Sequence, residues 1–142
     1  MKSKIVTNLV AMPKVLMLLT LGAVIVVAFV IRTLVPDDSI NAFGREISTS
    51  DWWSSGAGAV GLMVGLTLSV AAVMMLRRAS GGRLVYVTGW VGISVSAPII
   101  AKLTGTNSSA QLPPLIANLA ITIGIFIYLY VSKDVRSYFG EV

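Results

Sequence analysis

Four long apolar segments, separated by short polar stretches, dominate the chain. They cover about residues 15–35, 55–76, 84–103 and 113–132. A bilayer core about 30 Å thick requires about 20 helical residues, so each segment is long enough to cross it. In lipid only a helix satisfies every backbone group within one segment, and this holds even for the β-branched run at 24–27. The pattern predicts an all-α integral membrane protein, a single transmembrane domain built as an antiparallel four-helix bundle.

Two shorter segments carry apolar residues at helical spacing. The first runs from Ser3 to Met12, and its apolar positions are Ile5, Val6, Leu9 and Val10. The second runs from Ser39 to Ile47 inside an outer loop at 36–54, and its apolar positions are Ile40, Phe43 and Ile47. Each is either a short helix on the membrane surface or a partly ordered connector, and the spacing does not decide between them.

The composition agrees with a membrane protein. Hydrophobic residues make up 56% of the chain and charged residues 12%, which is roughly half the charged share of a typical soluble domain. The net charge of +5 comes from basic residues that flank the spans, where they set orientation and contact anionic lipid heads. No soluble segment is long enough to form a basic face for nucleic acid, so no nucleic-acid partner is predicted.

The distribution of the eleven lysine and arginine residues predicts the orientation. One side of the membrane receives Lys2, Lys4, Lys14, Arg77, Arg78, Arg83, Lys133 and Arg136. The other side receives only Arg32, Arg45 and Lys102. Because cytoplasmic loops carry the excess of basic residues, both termini are predicted to be cytoplasmic. A cleaved signal peptide is the alternative interpretation of the first span, but its apolar core is long and no small-x-small cleavage site precedes Asp37.

Small residues recur along one side of the second and third spans. The second span has Ala57, Gly61, Gly65 and Ser69 at intervals of four, and the third has Gly89, Gly92 and Ser96. Such rows let helix backbones approach closely. Either the rows pack the helices of this chain together, or one row forms a face for a second copy or a partner subunit.

Polar residues inside the third and fourth spans are the candidates for a solute path. They are Ser94, Ser96, Pro98, Asn118 and Thr122. Pro98 has no N–H for the Ser94 carbonyl, and such carbonyls line solute paths in some transporters. The alternative is that these groups hydrogen-bond between helices. At the span ends, Arg32, Trp52, Trp53 and Lys102 are predicted interface anchors.

Several residue types that carry chemistry are missing. The chain has no His and no Cys, which excludes thiolate sites and imidazole proton transfer. No Asp or Glu lies in the central part of any span, whereas proton-coupled exporters depend on such a carboxylate. The sequence therefore predicts no catalytic residue, cofactor or metal, and a protein that is not an enzyme.

The C-terminal stretch 128–139 reads Tyr-Leu-Tyr-Val-Ser-Lys-Asp-Val-Arg-Ser-Tyr-Phe. It resembles the ends of small bacterial four-span proteins of unknown function, in which an aromatic span runs into a Ser-Lys-x-Val-x-x-x-Phe tail. Here Asp134 interrupts the basic run. The resemblance implies a multi-pass protein of the bacterial inner membrane and assigns no site residue.

Together these features predict a small non-enzymatic accessory, assembly or interaction subunit of a membrane complex. Its expected partners are the lipid bilayer and either other membrane subunits or further copies of itself. Two alternatives remain open: an oligomeric small-solute transporter or channel without a buried carboxylate, and an immunity or stress protein against a membrane-active toxin.

Overall fold

The computed structural model describes residues 4–35, 39–42, 45–105 and 112–141, and within them the chain is mostly helical. Its elements are α1 (Lys4–Val10), α2 (Lys14–Arg32), β1 (Ser39–Ala42), β2 (Arg45–Ser48), α3 (Thr49–Ser54), α4 (Ala57–Leu76), α5 (Gly82–Leu103), α6 (Leu112–Val131) and α7 (Lys133–Tyr138). Some sequence expectations concern Lys2, Ser3, Asp37, Asp38 and Phe43, which lie outside the described residues.

Four of the helices, α2, α4, α5 and α6, are long and apolar enough to cross a membrane. Their bounds match the four predicted spans to within a few residues. The prediction of four apolar helices of spanning length is therefore confirmed. Helix α1 shows that the segment before Pro13 is helical, and its position on the membrane surface stays a prediction.

The long helices pack side by side, with α4 and α5 in the middle. Helix α4 contacts α2 on one side and α5 on the other, and α5 also contacts α6. Their largest shared cluster is completely or almost completely enclosed. It includes Leu16, Leu68, Met75, Tyr86, Leu129 and Val135, which come from α2, α4, α5, α6 and α7. One apolar core thus joins all four long helices to the short C-terminal helix.

The segment predicted as a surface helix or connector is instead a β-hairpin. Strands β1 and β2 pair antiparallel, with Ile40 opposite Ile47. Both isoleucines are buried, because opposite residues of a hairpin project from the same face. The helical alternative for 39–47 is wrong, since the antiparallel register places Ile40 and Ile47 on one face across the hairpin.

The hairpin leads into α3 and then α4. The Ser48 side chain caps α3 by accepting a hydrogen bond from the Asp51 N–H at 3.1 Å. Gly56, at φ 84°, then separates α3 from α4 in a left-handed conformation that suits glycine. Ile40 and Ile47 pack with Trp52, Ala57 and Ile100 in a second buried cluster. We call this end of the long helices, which carries the hairpin and α3, the hairpin end.

The opposite end carries α1, the connection at 77–81 and α7, and we call it the turn end. Arg78 adopts a left-handed conformation, at φ 56°, and the Ala79 N–H donates to the Met74 carbonyl at 2.9 Å. The helix therefore ends at a left-handed residue, a position that glycine usually occupies. Asn8 of α1 donates to the Leu76 carbonyl at 2.9 Å, and Tyr138 of α7 donates to the Met75 carbonyl at 3.2 Å. Both short helices are therefore hydrogen-bonded to the end of α4.

Candidate functional site

A close helix contact lies between α4 and α5, and glycines of α5 make it possible. A Cβ atom added at Gly89 would lie 2.5 Å from Cδ2 of Leu68, and one added at Gly92 would lie 3.5 Å from Val64. Leu68 is only 1% exposed, so it has no free space to move into. The small positions of α5 act as holes for the large side chains of α4.

The small residues of α4 serve other neighbours. A Cβ atom added at Gly65 would meet Val30 of α2 at 2.8 Å, and one at Gly61 would meet the Trp52 ring at 3.6 Å. Ala57 is completely buried, and Ser69 donates to the Gly65 carbonyl of its own helix at 2.6 Å. The two predicted rows therefore do not face each other, because each receives large side chains from a different element.

The predicted solute-path residues divide into two groups. Asn118 of α6 donates to the Ser94 hydroxyl of α5 at 3.0 Å, and Thr122 donates to the Asn118 carbonyl at 2.7 Å. Ser94 and Thr122 are buried, and Asn118 is half-buried. Ser96 donates to the Ile93 carbonyl at 3.0 Å, and Pro98 is exposed. The structure thus brings Ser94, Asn118 and Thr122 together and leaves the other two candidates outside that group.

Two aromatic residues of α5, Tyr86 and Trp90, were not among the predicted site residues. The Tyr86 hydroxyl donates to the Leu19 carbonyl of α2 at 2.7 Å. Trp90 has a buried Nε1 atom that makes no hydrogen bond of normal geometry, and its ring lies 6.5 Å from that of Tyr86. The sequence did contain a signal for them. An aromatic residue with a hydroxyl or N–H group inside an apolar span usually forms a hydrogen bond when it is buried.

The four predicted interface anchors have different environments. Arg32 and Lys102 are exposed near the hairpin end of α2 and α5. Trp53 is half-buried and donates its indole N–H to the Thr33 carbonyl at 2.7 Å. Trp52 is only 5% exposed and belongs to the second buried cluster. Trp52 packs there with Ile40 and Ile47 of the hairpin, and its role as an interface anchor stays a prediction.

A buried arginine at the turn end is the main charged feature that the sequence did not indicate. Arg83, at the start of α5, is 5% exposed. Its guanidinium forms an ion pair with Glu141, donates to the Leu129 carbonyl at 3.3 Å, and lies 4.9 Å from the centre of the Tyr130 ring. Its Nε atom is buried without a hydrogen-bond partner. The arginine therefore ties the start of α5 to the end of α6 and to the C-terminal tail.

The residues at the end of α7 fold so that Glu141 contacts Arg83. Gly140, at φ 78°, takes the left-handed conformation, and the Glu141 N–H donates back to the Arg136 carbonyl at 2.9 Å. This is the hydrogen-bond pattern of a Schellman motif. The C-terminal turn of α7 thus directs the Glu141 carboxylate back toward Arg83.

Arg78 and Tyr138 form a second contact between the turn and α7. The Arg78 guanidinium lies 4.6 Å from the centre of the Tyr138 ring. Burial raises the pKa of the Tyr138 phenol, although the adjacent Arg78 opposes this shift. The phenol is therefore neutral at physiological pH and serves as the hydrogen-bond donor to α4.

The polar groups described above act as hydrogen-bond and ion-pair partners between elements. Among the described residues, no three carboxylates lie close enough together to hold a metal ion. The polar groups instead connect α2, α4, α5 and α6 to one another and to the tail. Comparison with protein families, with curated proteins and with solved structures finds no match for this chain.

Proposed function

We propose that the chain is a non-enzymatic multi-pass membrane protein that acts as an accessory or assembly subunit of a membrane complex. Its four long helices cross the bilayer. Large apolar side chains on their outer faces support this placement, with Leu18, Ile25, Met63 and Ile123 all more than half exposed. Such faces are costly in water and suit hydrocarbon, where helices satisfy their own backbone groups.

The contacts between α4 and α5 support an antiparallel bundle. Gly82 at the start of α5 lies against Met74, Gly89 lies against Leu68, and Gly92 lies against Val64. As α5 advances, its partner on α4 therefore moves backward along the chain. The other long helices alternate in the same way if each connection stays on one side of the membrane.

The charges support a cytoplasmic turn end. Lys14, Arg77, Arg78, Arg83, Lys133 and Arg136 all lie at that end of the long helices, whereas Arg32, Arg45 and Lys102 lie at the hairpin end. This difference follows the positive-inside rule. Together with the bacterial resemblance of the tail, it supports a proposed location in the inner membrane with both termini in the cytoplasm.

The observation that carries the proposal is how the polar side chains inside the spans are used. Ser94 and Asn118 bond to each other across α5 and α6, Tyr86 bonds to α2, and Thr20, Ser69 and Thr122 bond to carbonyls of their own helices. The bonds between helices hold the helices together, and the bonds within a helix satisfy hydroxyl groups inside an apolar span. This pattern favours a protein whose polar groups stabilise helix packing over one whose polar groups line a solute path.

The outer flanks of the bundle are the surfaces open to a partner span. Helix α6 buries Thr122, Ile125 and Leu129 on one side, and its opposite side exposes the small residues Ala117, Ala120 and Gly124. A Cβ atom added at Gly124 would meet nothing within 4 Å. Because small residues let helices approach closely in lipid, we assign the partner contact to this side of α6.

The test is co-purification of the tagged full-length protein in a mild detergent. We expect the wild type to retain a membrane partner in fixed stoichiometry, either a different subunit or a second copy. Gly124→Leu should abolish this association. Gly22→Leu, at an equally open position on α2, should not affect it.

A wild-type protein that elutes alone as a monomer would contradict the proposal. If Gly22→Leu and Gly124→Leu reduce the association equally, the assignment to α6 is wrong. Both variants should unfold at nearly the same temperature as the wild type, since a Cβ atom added at either position meets nothing within 4 Å.

A further inference from the structure

A cavity of about 400 Å³ lies at the turn end, between three parts of the chain that are distant in sequence. Its walls come from the elbow at 11–13 between α1 and α2, from Arg78 after α4, and from Asp134, Ser137 and Tyr138 of α7. This volume lies in the range of about 300–1,000 Å³ that is typical of small-molecule sites. The cavity is thus large enough to hold a polar group of moderate size.

The position of the cavity places it at the depth of lipid headgroups. The elbow lies just before α2, Arg78 just after α4, and Asp134 just after α6, so all its walls adjoin the ends of membrane spans. Beside it, α1 exposes Ile5, Val6 and Val10, which suits a helix that rests on the acyl-chain boundary.

The charges of the cavity are of both signs and are not paired with each other. Arg78 and Asp134 are exposed and line the same space, yet they form no ion pair with each other in the described part of the chain. Ser137 of α7 also lines this space. The lining of the cavity therefore offers both a donor for an anion and an acceptor for a cation.

The backbone of Arg78 gives a second reason to expect a ligand. A left-handed conformation is unfavourable for a residue with a side chain, and glycine would fit this helix end without strain. Strained residues of this kind cluster at binding sites, where the side chain is needed. The arginine places a guanidinium at the cavity, which a glycine would not do.

From these observations we propose that the cavity binds a phosphodiester that carries a primary ammonium group, in the form of the headgroup of a phosphatidylethanolamine lipid. Arg78 donates to the phosphate, Asp134 accepts from the ammonium group, and Ser137 bonds to either. A phosphatidylglycerol headgroup offers Asp134 only neutral hydroxyl groups and no cation, and a choline headgroup has no N–H to donate. The inference rests on the membrane placement proposed above.

The test is native mass spectrometry of the full-length protein in detergent with added lipids of matched acyl chains. We expect phosphatidylethanolamine to be retained about tenfold more strongly than phosphatidylglycerol or phosphatidylcholine, the effect of one charge-assisted hydrogen bond. Glycerophosphoethanolamine, which has the headgroup without the chains, should not displace the lipid at equal concentration. If it binds as tightly as the lipid, the ligand is a soluble one and the lipid assignment is wrong.

Three variants make the test specific. Arg78→Gly relieves the backbone strain, so the protein should stay folded, yet retention of phosphatidylethanolamine should fall about tenfold. Arg77→Gly removes the neighbouring exposed charge outside the cavity and should leave retention unchanged. Asp134→Asn should bring the retention of phosphatidylethanolamine and phosphatidylglycerol to near equality.

Equal retention of the three lipids by the wild type, or equal losses in Arg78→Gly and Arg77→Gly, would overturn the proposal. A protein that crosses the membrane but shows no such preference would refute the lipid site alone. The membrane placement is tested separately by the accessibility of its two ends.

Discussion

Replacing Gly89 by valine should lower the free energy of unfolding by about 3 kcal/mol, at the upper end of the usual cost of overpacking. The reason is the contact between α5 and α4. A Cβ atom at position 89 would lie 2.5 Å from Cδ2 and 2.8 Å from Cγ of Leu68, and Leu68 is enclosed on all sides. The two helices must separate to admit the new side chain. Unfolding in mixed detergent and dodecyl sulfate micelles would measure the loss.

Two other glycines provide matched controls on spanning helices. At Gly92 the added Cβ would meet Val64 at 3.5 Å, an ordinary contact, and at Gly124 it would meet nothing within 4 Å. Valine should therefore destabilise the protein most at 89, less at 92, and by no more than about 0.5 kcal/mol at 124. Equal effects at the three positions would mean that the α4–α5 contact is not close.

The ion pair at the turn end should respond differently to the loss of its two members. Glu141→Ala should lower the free energy of unfolding by about 2 kcal/mol, because it leaves the buried Arg83 without an anion. This is less than the loss of about 3–5 kcal/mol for a fully buried pair. The Glu141 side chain is 43% exposed, so water screens part of the interaction.

Arg83→Met should cost about 1 kcal/mol or less. Methionine has a similar volume and removes the buried charge together with the unpartnered Nε atom, while Glu141 can turn to solvent. Chemical unfolding of the two variants in the same micelles compares them. A larger loss for Arg83→Met than for Glu141→Ala would show that the cation stabilises the fold through its packing on Tyr130 and Phe139 rather than through its pairing.

The sequence predicted the four apolar helices well, for a clear physical reason. A segment of about 20 apolar residues has few alternatives, since each backbone group must be satisfied within the helix. Their ends were also marked, by Pro13 before α2 and by Gly81 before α5. The length of a span and the proline or glycine at its end are local properties, so they can be read from a single sequence.

The hairpin was harder to predict because its spacing is ambiguous. Ile40 and Ile47 fit one face of a helix, yet they also face each other across a hairpin. A signal for the hairpin was present in Gly44, which lies between two short runs of mixed polar and apolar residues. Trp52 packs against the hairpin, so the burial of its ring could not be predicted without the hairpin.

The partners of the polar and charged residues were not predictable from spacing. The pairing of Ser94 with Asn118 depends on how α5 and α6 rotate against each other. The pairing of Arg83 with Glu141 joins the start of α5 to the residues just after α7. It depends on the left-handed turn at Gly140. Residue types indicated which groups needed a partner, and only the tertiary arrangement identified that partner.

The labelling of single cysteines on each side of the membrane tests the placement on which the account depends. The chain has no native cysteine, so Ser50→Cys at the hairpin end and Ser80→Cys or Ser137→Cys at the turn end can be labelled singly, and all three positions are exposed. With a membrane-impermeant maleimide on intact cells whose outer membrane has been opened, only Ser50→Cys should react. The other two should react after the inner membrane is permeabilised. Reaction of Ser80→Cys and Ser137→Cys from opposite sides, or of all three before permeabilisation, would contradict a four-span protein with both termini in the cytoplasm.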